Sequence, residues 1–109
     1  LHEEFEKLYN QSSTDVDEIA ERISRLSDRP LSTYEEFLNH ARLDEDPKRP
    51  GADEMVRNLI SDIESLNSYS AEAAAAAEEV DDRATANMLE DIIEVQEENA
   101  WMLSSWLAE

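Results

Sequence analysis

Residues 1–26, LHEEFEKLYNQSSTDVDEIAERISRL, decide how the rest of the chain is read. Apolar side chains recur at Leu1, Phe5, Leu8, Tyr9, Val16, Ile19, Ala20, Ile23 and Leu26, a helical rather than an alternating period. At about 100° per residue they cover roughly a third of the helix circumference. Four further residues border that stripe: His2, Glu6, Asp17 and Glu21, two pairs at i, i+4 spacing. With His2 at the origin, Glu6 falls at about 40°, Asp17 at about 60° and Glu21 at about 100°. A border beside packed surface raises the cost of an unpaired charge. An imidazole and three carboxylates in one such arc therefore point to a shared task.

Their spacing along the axis says how they could share it. His2 and Asp17 lie about 22 Å apart at the rise of an α-helix, so no single metal touches both on one copy. Two copies packed antiparallel about a two-fold near Gln11 and Ser12 would set the His2–Glu6 pair of one against the Asp17–Glu21 pair of the other. The dimer would hold two equivalent sites, roughly 22 Å apart. Imidazole with carboxylates is a ligand set that suits iron, zinc or manganese.

Composition bounds the remainder. A chain of 109 residues makes one domain with a modest core. It has no cysteine, hence no disulfide framework, thiol nucleophile or zinc knuckle. No apolar run reaches membrane-spanning length. The charge is extreme, with 28 acidic residues against 9 basic and a net of −19; the only lysines are Lys7 and Lys48. A hydrophobic content of 40% with strong periodicity argues for a folded protein rather than an acidic disordered chain. Self-repulsion at this density is costly in dilute buffer and screened at molar salt, which points to a halophilic source. The same charge speaks against nucleic-acid binding, which needs basic groups to neutralise phosphates.

Along the chain, Ser27 to Pro30 ends the first helix. Ser32-Thr33-Tyr34-Glu35 reads as a capping box opening a short helix to about Leu43, with Phe37, Leu38 and Ala41 inward. DEDPKRPG, residues 44–51, is a linker. A long helix runs from Ala52 to about Glu79, with Met55, Leu59, Ile60, Ile63, Leu66 and Tyr69 inward. Its alanine run, 73–77, suits the close approach of another helix. Asp81-Asp82 caps a last helix reaching about Leu107, whose stripe includes Met88, Leu89, Ile92, Val95, Trp101, Met102 and Leu107. Tyr9, Met55 and Met88 read as core, His40 as a surface histidine, and Trp101 and Trp106 as packing or interface residues. No strand pattern occurs, so the class is all-α: three long helices of about 39 Å each and one short one. Three such helices leave an apolar groove, and a chain that opens in mid-stripe without a cap is expected to have a fourth long helix before Leu1.

These residues resemble the Dps mini-ferritins. Leu1-His2-Glu3-Glu4-Phe5-Glu6-Lys7-Leu8-Tyr9 matches that family's LHxxFxxLY, and Asp17-Glu18-Ile19-Ala20-Glu21-Arg22 matches its DxxAER. The similarity extends to Ala84–Leu89 and Trp101–Leu103, includes the short helix between long ones, spans essentially the whole chain, and is nearest the Listeria and Bacillus type. The resemblance implies a ferritin-like four-helix bundle, with residues 1–109 as a single domain lacking its first helix. It also implies a cytoplasmic iron-storage and detoxification protein assembled as a dodecameric shell. Such a shell oxidises Fe(II) with hydrogen peroxide, or with O2, and stores ferric mineral inside. The ferroxidase ligands fall on His2 and Glu6 of one subunit and Asp17 and Glu21 of its two-fold mate, holding one or two irons, with zinc as a possible substitute.

Departures from the pattern limit what carries over. The family's first helix, with another ferroxidase histidine and a tryptophan, is not among these residues, nor is the basic tail that some relatives use on DNA. The start of the last helix lines an iron-entry pore in the family. Asp82 and Asp91 keep acidic character there, while Asn87 replaces a frequent aspartate. Charge runs are ordinarily solvated faces, so it is the joint occurrence of all four ligands at their offsets that carries the metal reading. Two rivals stand beside it. An intrachain di-iron carboxylate site uses Glu-x-x-His, which this chain lacks. The alternative from another class is a metal-free acidic helical module that binds a partner through an unfilled groove.

Overall fold

Four α-helices account for the regular structure of the computed structural model, which describes residues 1–108, and no strand occurs among them. They are α1 (His2–Arg25), α2 (Tyr34–His40), α3 (Ala52–Glu79) and α4 (Arg83–Ala108). The chain divides into two compact units, Leu1–Asp44 with α1 and α2, and the residues from Glu45 onward with α3 and α4.

In the first unit, α1 is a single helix of 24 residues. Glu3 and Glu4 in its first turn and Arg22 and Arg25 in its last complement the helix dipole. It ends by geometry before Pro30 is reached. Ser27 takes a left-handed φ of 67°, and the Asp28 N–H reaches back to the Ile23 carbonyl at 3.2 Å, closing a Schellman-type end. Capping of α2 is displaced by one residue from expectation. Thr33, not Ser32, is the cap: its Oγ1 accepts the Glu36 N–H at 3.1 Å. The reciprocal carboxylate is Glu36, not Glu35, and its Oε1 accepts the Ser32 N–H at 3.2 Å. The helix stops at His40 rather than about Leu43, because Ala41 turns extended with ψ 138°.

In the second unit, Asp46 ties the linker to α3, accepting from Asn58 Nδ2 at 3.0 Å and from the Lys48 N–H at 3.0 Å. Between α3 and α4 the turn is tight. Asp81 adopts a left-handed φ of 59° and the Asp82 N–H bonds the Ala77 carbonyl at 2.8 Å. Asp82 alone then caps α4. Ala74, Ala77, Ala86 and Leu89 form a buried cluster with Met88 against it, so the alanine run does admit a close neighbour. Val56, Ile63 and Leu103 complete the buried apolar set.

The apolar stripes drawn from sequence were too broad. Tyr9 is 73% exposed and Trp101 66%; Phe37, Leu38, Met55, Leu66 and Met102 are exposed as well. On α3 and α4 the buried residues follow a narrow seam: Val56, Ile63, Ala74 and Ala77 on one helix, and Ala86, Leu89, Gln96, Asn99 and Leu103 on the other. A residue one position off that seam is rotated about 100° away from it. Met55 beside Val56, and Met102 beside Leu103, are therefore turned outward.

Candidate metal centre

All four candidate ligands sit on α1, and all four are exposed. The i, i+4 spacing stacks His2 over Glu6 and Asp17 over Glu21 on neighbouring turns of one face. The unbroken helix between them keeps the two pairs about 22 Å apart. Accordingly, no three His, Asp or Glu side chains converge on a metal-sized site among the described residues. What one copy presents is two half-sites, an imidazole with a carboxylate and a pair of carboxylates. A hollow on the same helix is lined by Glu3, Glu6, Lys7, Asn10, Gln11 and Thr14, so Glu6 borders both features.

The opposite side of α1 behaves differently. Asp15 is buried, although it lies in a strongly acidic segment, and its carboxylate accepts from Gln11 Nε2 at 3.0 Å. In projection it falls at about 220° from His2, away from the candidate arc. Sequence reading missed it; the only signal was a Gln-x-x-x-Asp pair at helical spacing. Glu4 is half-buried, and its Oε1 is covered without a partner.

Asp82 and Asp91 do not form a unit. Asp82 accepts the Thr85 N–H at 3.2 Å through Oδ1, and the Thr85 hydroxyl donates to its other oxygen, so its carboxylate is engaged in capping α4. Asp91 is exposed about 14 Å further along the helix. His40 is exposed at the end of α2 and Trp106 is half-buried.

A strongly shifted carboxyl belongs to α2. The Arg29 guanidinium lies 2.6 Å from Glu36, and that hydrogen bond, followed by the bond from the Ser32 N–H, lowers the Glu36 pKa to about 2. Its electrostatics serve the short helix rather than the candidate ligands.

Comparison with known proteins adds the context that one chain lacks. Residues 1–109 match the family model of the ferritin-like domain. The chain is 36% identical over 107 residues to DNA protection during starvation protein 2 of Bacillus anthracis, covering 98% of this chain and 73% of that protein. It is similar to the crystal structure of a Dps protein from Bacillus brevis with a TM-score of 0.94 and 36% identity, over 97% of this chain and 71% of that one. A Dps protein from Vibrio cholerae O1, described as a member of a broad superfamily of ferritin-like diiron-carboxylate proteins, matches with a TM-score of 0.92 and 30% identity. That match covers 97% of this chain and 67% of that one. No helix of the described residues is long and apolar enough to cross a membrane.

Proposed function

The chain belongs to the ferritin-like family, in the company of the Dps proteins, and from that premise we propose that it stores and detoxifies iron as a ferroxidase. One observation carries the reading. His2 with Glu6, and Asp17 with Glu21, stand exposed on one face of α1, two pairs of donors that iron accepts and that one copy cannot join. A second copy crossing α1 antiparallel near Gln11 and Ser12 completes each site. Residues 1–109 form a single ferritin-like domain, and the domain assembles into a closed, dodecameric shell in the cytoplasm.

Fe(II) is the substrate. The His2 imidazole binds in its neutral form, and the carboxylates of Glu6, Asp17 and Glu21 offset the charge of the ion while leaving coordination positions open. Two Fe(II) ions each give up one electron and hydrogen peroxide accepts the pair. Its O–O bond breaks, and hydrolysis of the ferric product releases protons to water. O2 is the slower alternative oxidant, and zinc competes for the same ligands. Consuming Fe(II) and peroxide together removes the reactants of hydroxyl-radical formation. That chemistry, rather than coating of DNA, suits a chain of net charge −19. Asp91, exposed on α4, is assigned to iron entry, while Asp82 serves as the helix cap.

Anaerobic Fe(II) titration followed by peroxide tests the reading. The expected result is oxidation of two Fe(II) per peroxide, lost when Asp17→Ala is combined with Glu21→Ala. Absence of two-electron oxidation, with the double variant changing nothing, or a stable monomer in molar salt, defeats it in favour of a metal-free helical module.

A further inference from the structure

The α3–α4 hairpin is apolar at both ends and polar in its middle. Near the turn Ala74, Ala77, Ala86 and Leu89 pack together; toward the free ends Val56, Ile63 and Leu103 are buried. Between these groups α4 buries two carboxamides, Gln96 and Asn99, the latter only 1% exposed. Asn99 Nδ2 donates to Gln96 Oε1 at 3.2 Å, while Asn99 Oδ1 is covered and has no partner. The two helices run antiparallel. Counting from Ala74 and Leu89 at equal rise brings Asn67 level with Gln96, and Asn67 Oδ1 is likewise covered and unpartnered.

Within about one helical turn the hairpin thus holds two carbonyl oxygens taken out of water without a hydrogen bond in return. A buried acceptor left unsatisfied loses its hydration outright, a larger penalty than an ordinary internal hydrogen bond recovers. Separation of the helices at this level rehydrates both oxygens. Opposing it on the free-end side are the buried side chains Val56, Ile63 and Leu103, with Leu59, Ile60, Trp106 and Leu107 half-buried beside them. The turn end gains nothing by opening. It is also held by the Asp82–Ala77 hydrogen bond and the Asp82 cap.

We propose that the Asn67–Gln96–Asn99 level is an opening point built into the hairpin. Residues 52–66 and 97–108 separate as a local fluctuation while the turn end stays packed. Proteins open in contiguous units of differing stability, and a polar level between two apolar clusters is a natural boundary between such units. Both tryptophans, Trp101 and Trp106, lie on the moving side and report on it.

Hydrogen exchange on the full chain tests this with Asn67→Leu, which removes an unpartnered oxygen at similar volume. Amide exchange across residues 97–105 is expected to slow by roughly tenfold to a hundredfold. Acrylamide quenching of Trp106 should fall, and exchange across residues 74–89 should stay unchanged. Equal slowing throughout both helices means the level only sets global stability, and the proposal fails. Unchanged or faster exchange defeats it as well. Should Asn67→Leu not fold, the double variant Gln96→Leu with Asn99→Leu asks the same question from α4. Faster exchange there would show that the carboxamides hold the hairpin together, which also overturns the proposal.

Discussion

Replacing Leu103 by alanine, set beside Trp101→Ala, discriminates most sharply between the helix faces drawn from sequence and the faces the fold uses. Leu103 has no exposed surface, whereas Trp101, two positions earlier, is 66% exposed. Truncating a fully buried leucine removes its transfer energy and leaves a cavity, about 2–5 kcal/mol in all. Against a total stability of about 5–15 kcal/mol that is a large share. For a domain of this size it lowers the melting midpoint by roughly 10 to 30 °C. Trp101→Ala removes surface already in water and should stay within about 0.5 kcal/mol. A reading of Trp101 as core reverses the order and assigns it about 3–5 kcal/mol. Urea unfolding followed by far-UV circular dichroism, at two protein concentrations a hundredfold apart, separates the cases. A Trp101 effect that disappears on dilution belongs to an interface between copies. If Trp101→Ala costs as much as Leu103→Ala at both concentrations, the face assignment of α4 is wrong.

Asp81→Gly should raise stability by about 1 kcal/mol, because a left-handed φ of 59° strains any residue with a side chain; a higher urea midpoint is the readout. The Glu36 carboxyl is held at about 2 in the fold against an ordinary 4.5, so its ion pair with Arg29 stabilises α2 above the ordinary range. That contribution fades as pH falls from 4.5 toward 2, and Glu36→Gln should abolish this acid-dependent loss of α2 amide protection in NMR. The net charge of −19 predicts a melting midpoint that rises steadily from dilute buffer to molar sodium chloride, and a flat or falling profile counts against the high-salt adaptation.

Much of the architecture was legible because it depends on local chemistry. Pro30, Pro47 and Pro50 punctuate the chain, and periodicity located the four helices that are observed. Errors gathered where neighbouring positions compete. Thr33 and Glu36 won the cap over Ser32 and Glu35, since both pairs have the same spacing and only one fits the entering backbone. Asp15, Gln96 and Asn99 were missed as buried residues because polarity predicts exposure, and the helical spacing of Gln11 with Asp15 and of Gln96 with Asn99 does not say which face packs. At the candidate centre, the positions of His2, Glu6, Asp17 and Glu21 on one helix face were readable, and the fold kept them there.

The sequence by itself determined that the chain is all-α, that α1 carries two donor pairs too far apart to meet, and that it carries a net charge of −19. These follow from helix periodicity, rise per residue and a count of charges, none of which depends on distant contacts. Only the tertiary structure decided which residues of each apolar stripe are buried. It put Val56 rather than Met55, and Leu103 rather than Trp101, on the seam of the hairpin. It also settled that Asp82, of the expected Asp81-Asp82 pair, is the residue whose side chain caps α4. The physical reason is that burial is a property of pairs of elements. A rotation of about 100° exchanges a core residue for its neighbour, and the packing of one helix on another sets that rotation.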